Sequence, residues 1–191
     1  MAEPAPHSVH VDDPAMLRAL AHPLRLRALG SLRIDGPQTV GALSARLGVA
    51  PGSASYHLAT LARHGFVEEA PELARDGRER WWRARAAVTT FDPAELGADP
   101  TRAQAGRAMR QAIVNAYAAE QLAYLDAEPS LPAEWIAAAE QSDAHAWLTA
   151  EELRELGAEL DAVAARWQAR SDPGRADAAA IRIVYAAFRR P

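Results

Sequence analysis

Between Thr39 and Gly65 the chain is punctuated so closely that only two short helices fit. Thr39 is a good helix cap, Val40, Leu43 and Leu47 follow at helical spacing, and Gly48 stands where a glycine ends such a helix. Pro51 then occupies a first helical position, Ala54, Leu58 and Leu61 recur on one face, and Gly65 closes the run. Two apolar-faced helices joined by so tight a turn must pack on each other, because neither has another way to bury its stripe. Upstream, Asp13-Pro14 starts a helix carrying Met16, Leu17 and Leu20. His22-Pro23 interrupts it and reads as a helix junction. A second helix follows with Leu24, Leu26, Leu29 and Leu32, interleaved with Arg25, Arg27 and Arg33, up to a turn at Asp35-Gly36-Pro37. Downstream, Phe66–Glu69 and Arg80–Arg83 read as short strands around a polar connection in which Asp76-Gly77 is a hairpin-turn signal.

A helix pair, a helix-turn-helix and a two-stranded hairpin, in that order, predict a winged helix over residues 13–88. The major groove of DNA admits one α-helix, so the second helix of the pair must pack by one face and offer hydrogen-bonding groups on the other. The outward set is Ser53, Ser55, Tyr56, His57 and Thr60, with Arg63 near the end. Ser53 lies in the first turn, where a hydroxyl and free N–H groups suit a phosphate, and Tyr56 and His57 are long enough to reach base edges. Taken singly, Ser53 and Ser55 also suit capping and His57 also suits packing; the order of the elements is what singles them out. Arg75, Arg78 and Arg80 fit a wing that touches phosphate or the minor groove, and equally a solvated arginine hairpin.

Charge supports the first reading. All 21 basic residues are arginine, which removes Schiff-base and P-loop lysine chemistry. The net charge of −4 hides a division: residues 15–90 carry +5 and residues 91–191 carry −6. A basic module joined to an acidic one suits a nucleic-acid binder with a separate oligomerisation or sensing part. Cysteine is absent, which excludes disulfides, thiolate metal sites and cysteine nucleophiles. The first residues are acidic without an apolar stretch, and a cytoplasmic protein is expected. No glycine-rich phosphate loop, GxSxG or HExxH occurs, so neither an enzyme nor a cofactor is expected. His7 and His10 with Asp12 and Asp13 have the chemistry of a borderline metal site, but they fall in residues 1–12, read as a mobile leader, and no metal is expected.

Beyond a linker over residues 86–100, residues 89–191 are expected to be a helical dimerisation and sensor region. An alanine-rich helix is predicted from Pro100 to Asp126, carrying Met109, Ile113, Tyr117, Leu122, Tyr124 and Leu125, and ended by Pro129 and Pro132. Helical patterns resume at Trp135-Ile136 and at Thr149, where Thr149-Ala150-Glu151-Glu152 is a capping box. The tail Ile181–Tyr185 alternates and is β-branched, which predicts a strand. Tyr117, Tyr124, Trp135, Trp147, Trp167 and Tyr185 admit two readings. One is a dimer core; the other is an apolar effector pocket with Arg182 or His145 as its polar contact.

The run Leu17-Arg-Ala-Leu-Ala-His-Pro-Leu-Arg-Leu-Arg-Ala-Leu29 resembles the opening helices of ArsR-type winged-helix regulators. Ser53-Ala-Ser-Tyr-His-Leu58, then Leu61 and Gly65-Phe66-Val67, resembles their recognition-helix pattern, and the likeness covers about residues 15–85. It implies a homodimeric, sequence-specific bacterial transcription regulator, usually a repressor released from a double-stranded operator by an effector. Metal-sensing members use cysteines on the DNA-binding helices or histidine and carboxylate clusters on the last helix. Here cysteine is absent and residues 100–126 contain no histidine, so a small organic effector is expected. The alternative is a small-molecule sensor or protein-interaction adaptor whose winged helix does not read DNA.

Overall fold

The computed structural model describes residues 8–76, 79–97 and 99–190. The chain is mainly helical with a small antiparallel sheet, and it divides into two compact units, one up to Asp126 and one from Ala127.

The first unit follows its punctuation. The Asp13 carboxylate accepts from the N–H groups of Ala15 at 2.7 Å and Met16 at 3.1 Å, and Pro14 fills the first turn of α1 (Pro14–Leu20). Those two bonds hold the Asp13 carboxyl below its usual range. Helix α2 (Pro23–Ile34) is capped by His22. Strand β2 (Gln38–Thr39) runs into α3 (Val40–Leu47), where the Thr39 hydroxyl accepts from Ala42 N–H at 3.1 Å. Gly48 ends α3 at φ +68, a conformation that a side chain strains. Helix α4 (Pro51–Arg63) follows after the turn. Strands β3 (Val67–Glu69) and β4 (Trp81–Ala84) are antiparallel, with Glu68 opposite Arg83 and Glu69 opposite Trp82; β2 adds to the far edge, giving the order β2-β4-β3. Leu17, Leu20, Leu29, Leu43, Leu58, Leu61, Phe66 and Trp82 form one buried core beneath helices and wing.

Two departures from the sequence reading tie the ends of this unit together. Residues 8–11, expected in a mobile leader, include a strand, β1 (Ser8–His10), and Val11 is fully buried. Its partner is β5 (Val88–Thr90), inside the expected linker, paired in parallel with Ser8 opposite Val88. Arg33 of α2 clasps that linker: Nε donates to Ala86 O at 2.9 Å and Nη2 to Thr89 Oγ1 at 2.8 Å. A short helix, α5 (Pro93–Leu96), then places buried Leu96 against Gly106 of α6 (Pro100–Ala127). The N-terminal half of α6 buries Ala105, Gly106, Met109 and Ala112, whereas Val114, Tyr117, Leu122 and Leu125 further along are exposed.

The second unit holds α7 (Ala133–Ala138) and α8 (Ala150–Gln168). The capping box is present: Thr149 N–H donates to Glu152 Oε2 at 2.7 Å and Glu152 N–H to Thr149 Oγ1 at 3.2 Å. Among the described residues from Ala127 onward none is buried. Ile181–Tyr185 is not a strand, correcting the reading of its alternation. A strand exists only by pairing, and among the described residues of this unit no strand lies ready to receive it.

Candidate nucleic-acid interface

Helix α4 starts without a side-chain cap, since its N-cap is Ala50, so Ser53 and Ser55 are not caps for it. Both are half-buried at the start of the helix, beside first-turn N–H groups available to an anion. Tyr56 is 65% exposed and Arg63 is exposed near the C-terminal end. Thr60 is half-buried, and its hydroxyl donates to Tyr56 O at 2.9 Å, so its proton is already committed within the helix. The outward face is thus hydroxyls, one phenol and small groups, with a single cation at its end. That composition can accept and donate to base edges and pack on thymine methyls.

His57 does not join that face. It is 8% exposed, and its ring lies 4.6 Å from that of His22, so the structure turns it inward. Positions 54, 57, 58 and 61 share the buried stripe of α4. Burial first, then the neighbouring His22 and Arg25, push His57 below the usual histidine range; burial and Arg25 do the same to His22. His22, which the sequence placed only as a junction, is the ring neighbour of His57. Its Nδ1 accepts from Leu24 N–H at 3.2 Å, and the histidine-proline step ahead of an apolar run was the available signal.

The wing is more acidic in its contacts than its arginine count suggests. Arg80 is paired with Glu69 and lies 5.7 Å over the Trp82 ring. Arg83 bonds Glu68 at 2.7 Å and also Glu72, and Arg85 lies 3.4 Å from Glu68. Arg75 is exposed at the base of the loop, its N–H donating to Glu79 at 3.2 Å. Arg78, and with it the tip at Gly77, lies outside the described residues. A cleft of about 350 Å³ lies between α3, α4 and the wing, lined by Thr39, Val40, Gly41, Ser55, Glu79 and Arg80. The cleft thus joins Ser55 of α4 to Glu79 and Arg80 of the wing.

The residues read as an effector pocket are distributed between the two units. Tyr117 and Tyr124 are on α6; Trp135 on α7 is half-buried and Trp167 on α8 is half exposed. Trp147 is fully exposed, and Tyr185 donates to Asp161 Oδ1 at 2.6 Å, with Arg182 nearby in sequence. Of the histidine and carboxylate group near the start, His7 lies outside the described residues, His10 bonds Glu95 at 3.0 Å and Asp13 caps α1. Among the described residues no helix is long and apolar enough to cross a membrane.

Residues 20–70 match the model of a helix-turn-helix domain family. No curated protein matches the chain. Among solved structures, reduced HlyU from Vibrio cholerae is 25% identical, with a TM-score of 0.32 over 51% of this chain and 84% of that one. The chain carries a helix-turn-helix domain, with α3 and α4 as its two helices and a small sheet as its wing.

Proposed function

We propose that this protein is a sequence-specific DNA-binding transcription regulator of the ArsR type, acting as a homodimer on a double-stranded operator. The observation that carries the reading is the outward face of α4, whose exposed Tyr56 and half-buried Ser53 and Ser55 stand beside a cleft that ends on the wing. The dimer is assigned to residues 89–191, supported by the exposed Val114, Tyr117, Leu122 and Leu125 along α6. Repression relieved by an organic effector is the mode the composition favours, since cysteine is absent and aromatic side chains are concentrated after residue 116. Such an effector would act through its differential affinity for two dimer geometries.

Selection of bound sequences from random duplex DNA tests the reading directly: a specific regulator enriches one motif, and binding to it weakens steeply with salt as counterions are released. Zinc, nickel and cobalt titrated into the complex test the mode, because micromolar release by any of them would overturn an organic effector. One observation favours a second reading, an adaptor whose wing does not touch DNA: Arg80 and Arg83 are already paired with Glu69, Glu68 and Glu72. Duplex binding that is weak, unselective and nearly independent of salt would decide for the adaptor.

A further inference from the structure

Three rings stand in contact from the α2 junction to the exposed face of α4. At the α2 junction half-buried His22 caps the helix through Nδ1, which accepts a hydrogen bond from Leu24 N–H, so the neutral ring carries its own proton on Nε2. His57 lies on it, centroids 4.6 Å apart and planes tilted by 43°. Tyr56 meets His57 edge-on, at 5.4 Å and 71°. Burial changes sharply along the series, from 8% exposed at His57 to 65% at Tyr56, and His57 Nδ1 is buried without a hydrogen-bond partner among the described residues. Successive helical residues point about 100° apart, so contact between neighbouring rings is a matter of rotamer and not of sequence. The ring that cannot move sets the one that can.

We propose that His57 is a positioning residue for base reading: wedged against His22, it holds Tyr56 in the orientation that presents the phenol to the major groove. The proposal rests on the DNA-reading function above. A long aromatic side chain ordered before binding pays less entropy on contact and reaches one base pair instead of several. A polar ring in this place adds a proton dependence. The groups acting on His57 are His22 and Arg25 from α2, and the Arg25 guanidinium is fixed by the carbonyls of Ala19 and Arg18. Protonating His57 adds a positive charge that the fixed Arg25 guanidinium opposes, and once His22 also takes a proton like charges stand at ring contact, which separates the rings and frees Tyr56. Discrimination between sequences should fall in acid, while phosphate contacts do not weaken.

The test uses the full chain and duplexes with a randomised centre, followed by fluorescence anisotropy on the most enriched duplex and a shuffled one at fixed salt. Tyr56→Ala should erase preference at one or two base pairs. His57→Ala should erase it at the same pairs, lowering the selected-to-shuffled affinity ratio about tenfold, the scale of one misread pair, with shuffled binding unchanged. His57→Phe keeps a ring without a proton; it should retain the ratio and hold it as pH is lowered from about 7.5 to well below the usual histidine range, whereas the wild type loses it there as His57 takes its proton. Should His57→Ala fail to fold, the pH profile of His57→Phe against wild type carries the same test. Equal weakening on both duplexes, or altered preference at pairs that Tyr56→Ala leaves alone, would overturn the positioning role. So would a Tyr56→Ala variant with intact preference, and in each of these cases DNA reading stands. A wild type that enriches no sequence overturns DNA reading itself, and the positioning role with it.

Discussion

A histidine shielded from water between another histidine and an arginine binds a proton reluctantly, and this gives His22 and His57 a consequence for stability. Both are held below the usual histidine range when folded and return to about 6.5 when unfolded, so the unfolded chain binds more protons in acid. Their contribution is complete above about pH 6.5 and is lost as pH falls through the depressed values. The urea midpoint should therefore decline from about pH 6.5 downward, and His57→Phe should flatten much of that decline. A midpoint unchanged down to about pH 5 would contradict it. Asp13 acts in a lower window, since its depressed carboxyl contributes above about pH 4 and is lost below. At this scale the sequence was legible wherever one residue acts on the backbone around it, by a capping side chain at Asp13, Thr39 and Thr149 and by the lack of one at Gly48. His57 shows where legibility ends. Its chemistry suggested an outward reader, yet 54, 57, 58 and 61 follow the i, i+3, i+4, i+7 stripe, and the phase of the helix outweighed the polarity of the side chain.

At the scale of elements, Arg80, Arg83 and Arg85 face carboxylates of the wing itself. Glu69 stands where a DNA phosphate would compete for Arg80, so Glu69→Gln should strengthen binding to selected and shuffled duplexes alike and steepen the salt slope by about one unit. An unchanged slope in anisotropy titrations would place Arg80 outside the interface. Helix α6 offers a packing test. A Cβ on Gly106 would meet Leu96 Cδ1 at 2.8 Å and Cβ at 3.3 Å, and Leu96 is buried. Alanine improves helix propensity by about 1 kcal/mol but overpacks at about 1–3 kcal/mol, so Gly106→Ala should destabilise by roughly 1 kcal/mol. A raised denaturation midpoint would show that Leu96 has room to shift. The longer helices were readable because each carries its own period and its own cap or proline start, whereas strands depend on partners. Ile181–Tyr185 alternates without a partner and is irregular; Val88–Thr90, hidden in an apparent linker, pairs with β1.

For the whole molecule, α6 is 28 residues long, about 42 Å at 1.5 Å per residue, and its C-terminal half exposes an apolar series. The proposed homodimer would bury that series against a second copy, and reading successive major grooves requires its two α4 helices to stand roughly 34 Å apart. Light scattering at micromolar concentration should return a dimer, and Leu122→Glu with Leu125→Glu should shift it to monomer without unfolding α4. A wild-type monomer would remove the homodimer from the proposal. The parallel pairing of β1 with β5 has a different consequence, for the order in which the chain is made. Ser8 leaves the ribosome ahead of its partner Val88, which emerges only after the core helices and the wing have been synthesised. Until then Val11, a fully buried core residue, has no settled place, and the Arg33 guanidinium lacks the Ala86 and Thr89 oxygens that hold it. Parallel strands are joined through long crossovers, and here the crossover is nearly the entire winged helix. A nascent chain halted before Thr90 cannot complete this seam, so β1, translated ahead of the winged helix, docks only after it.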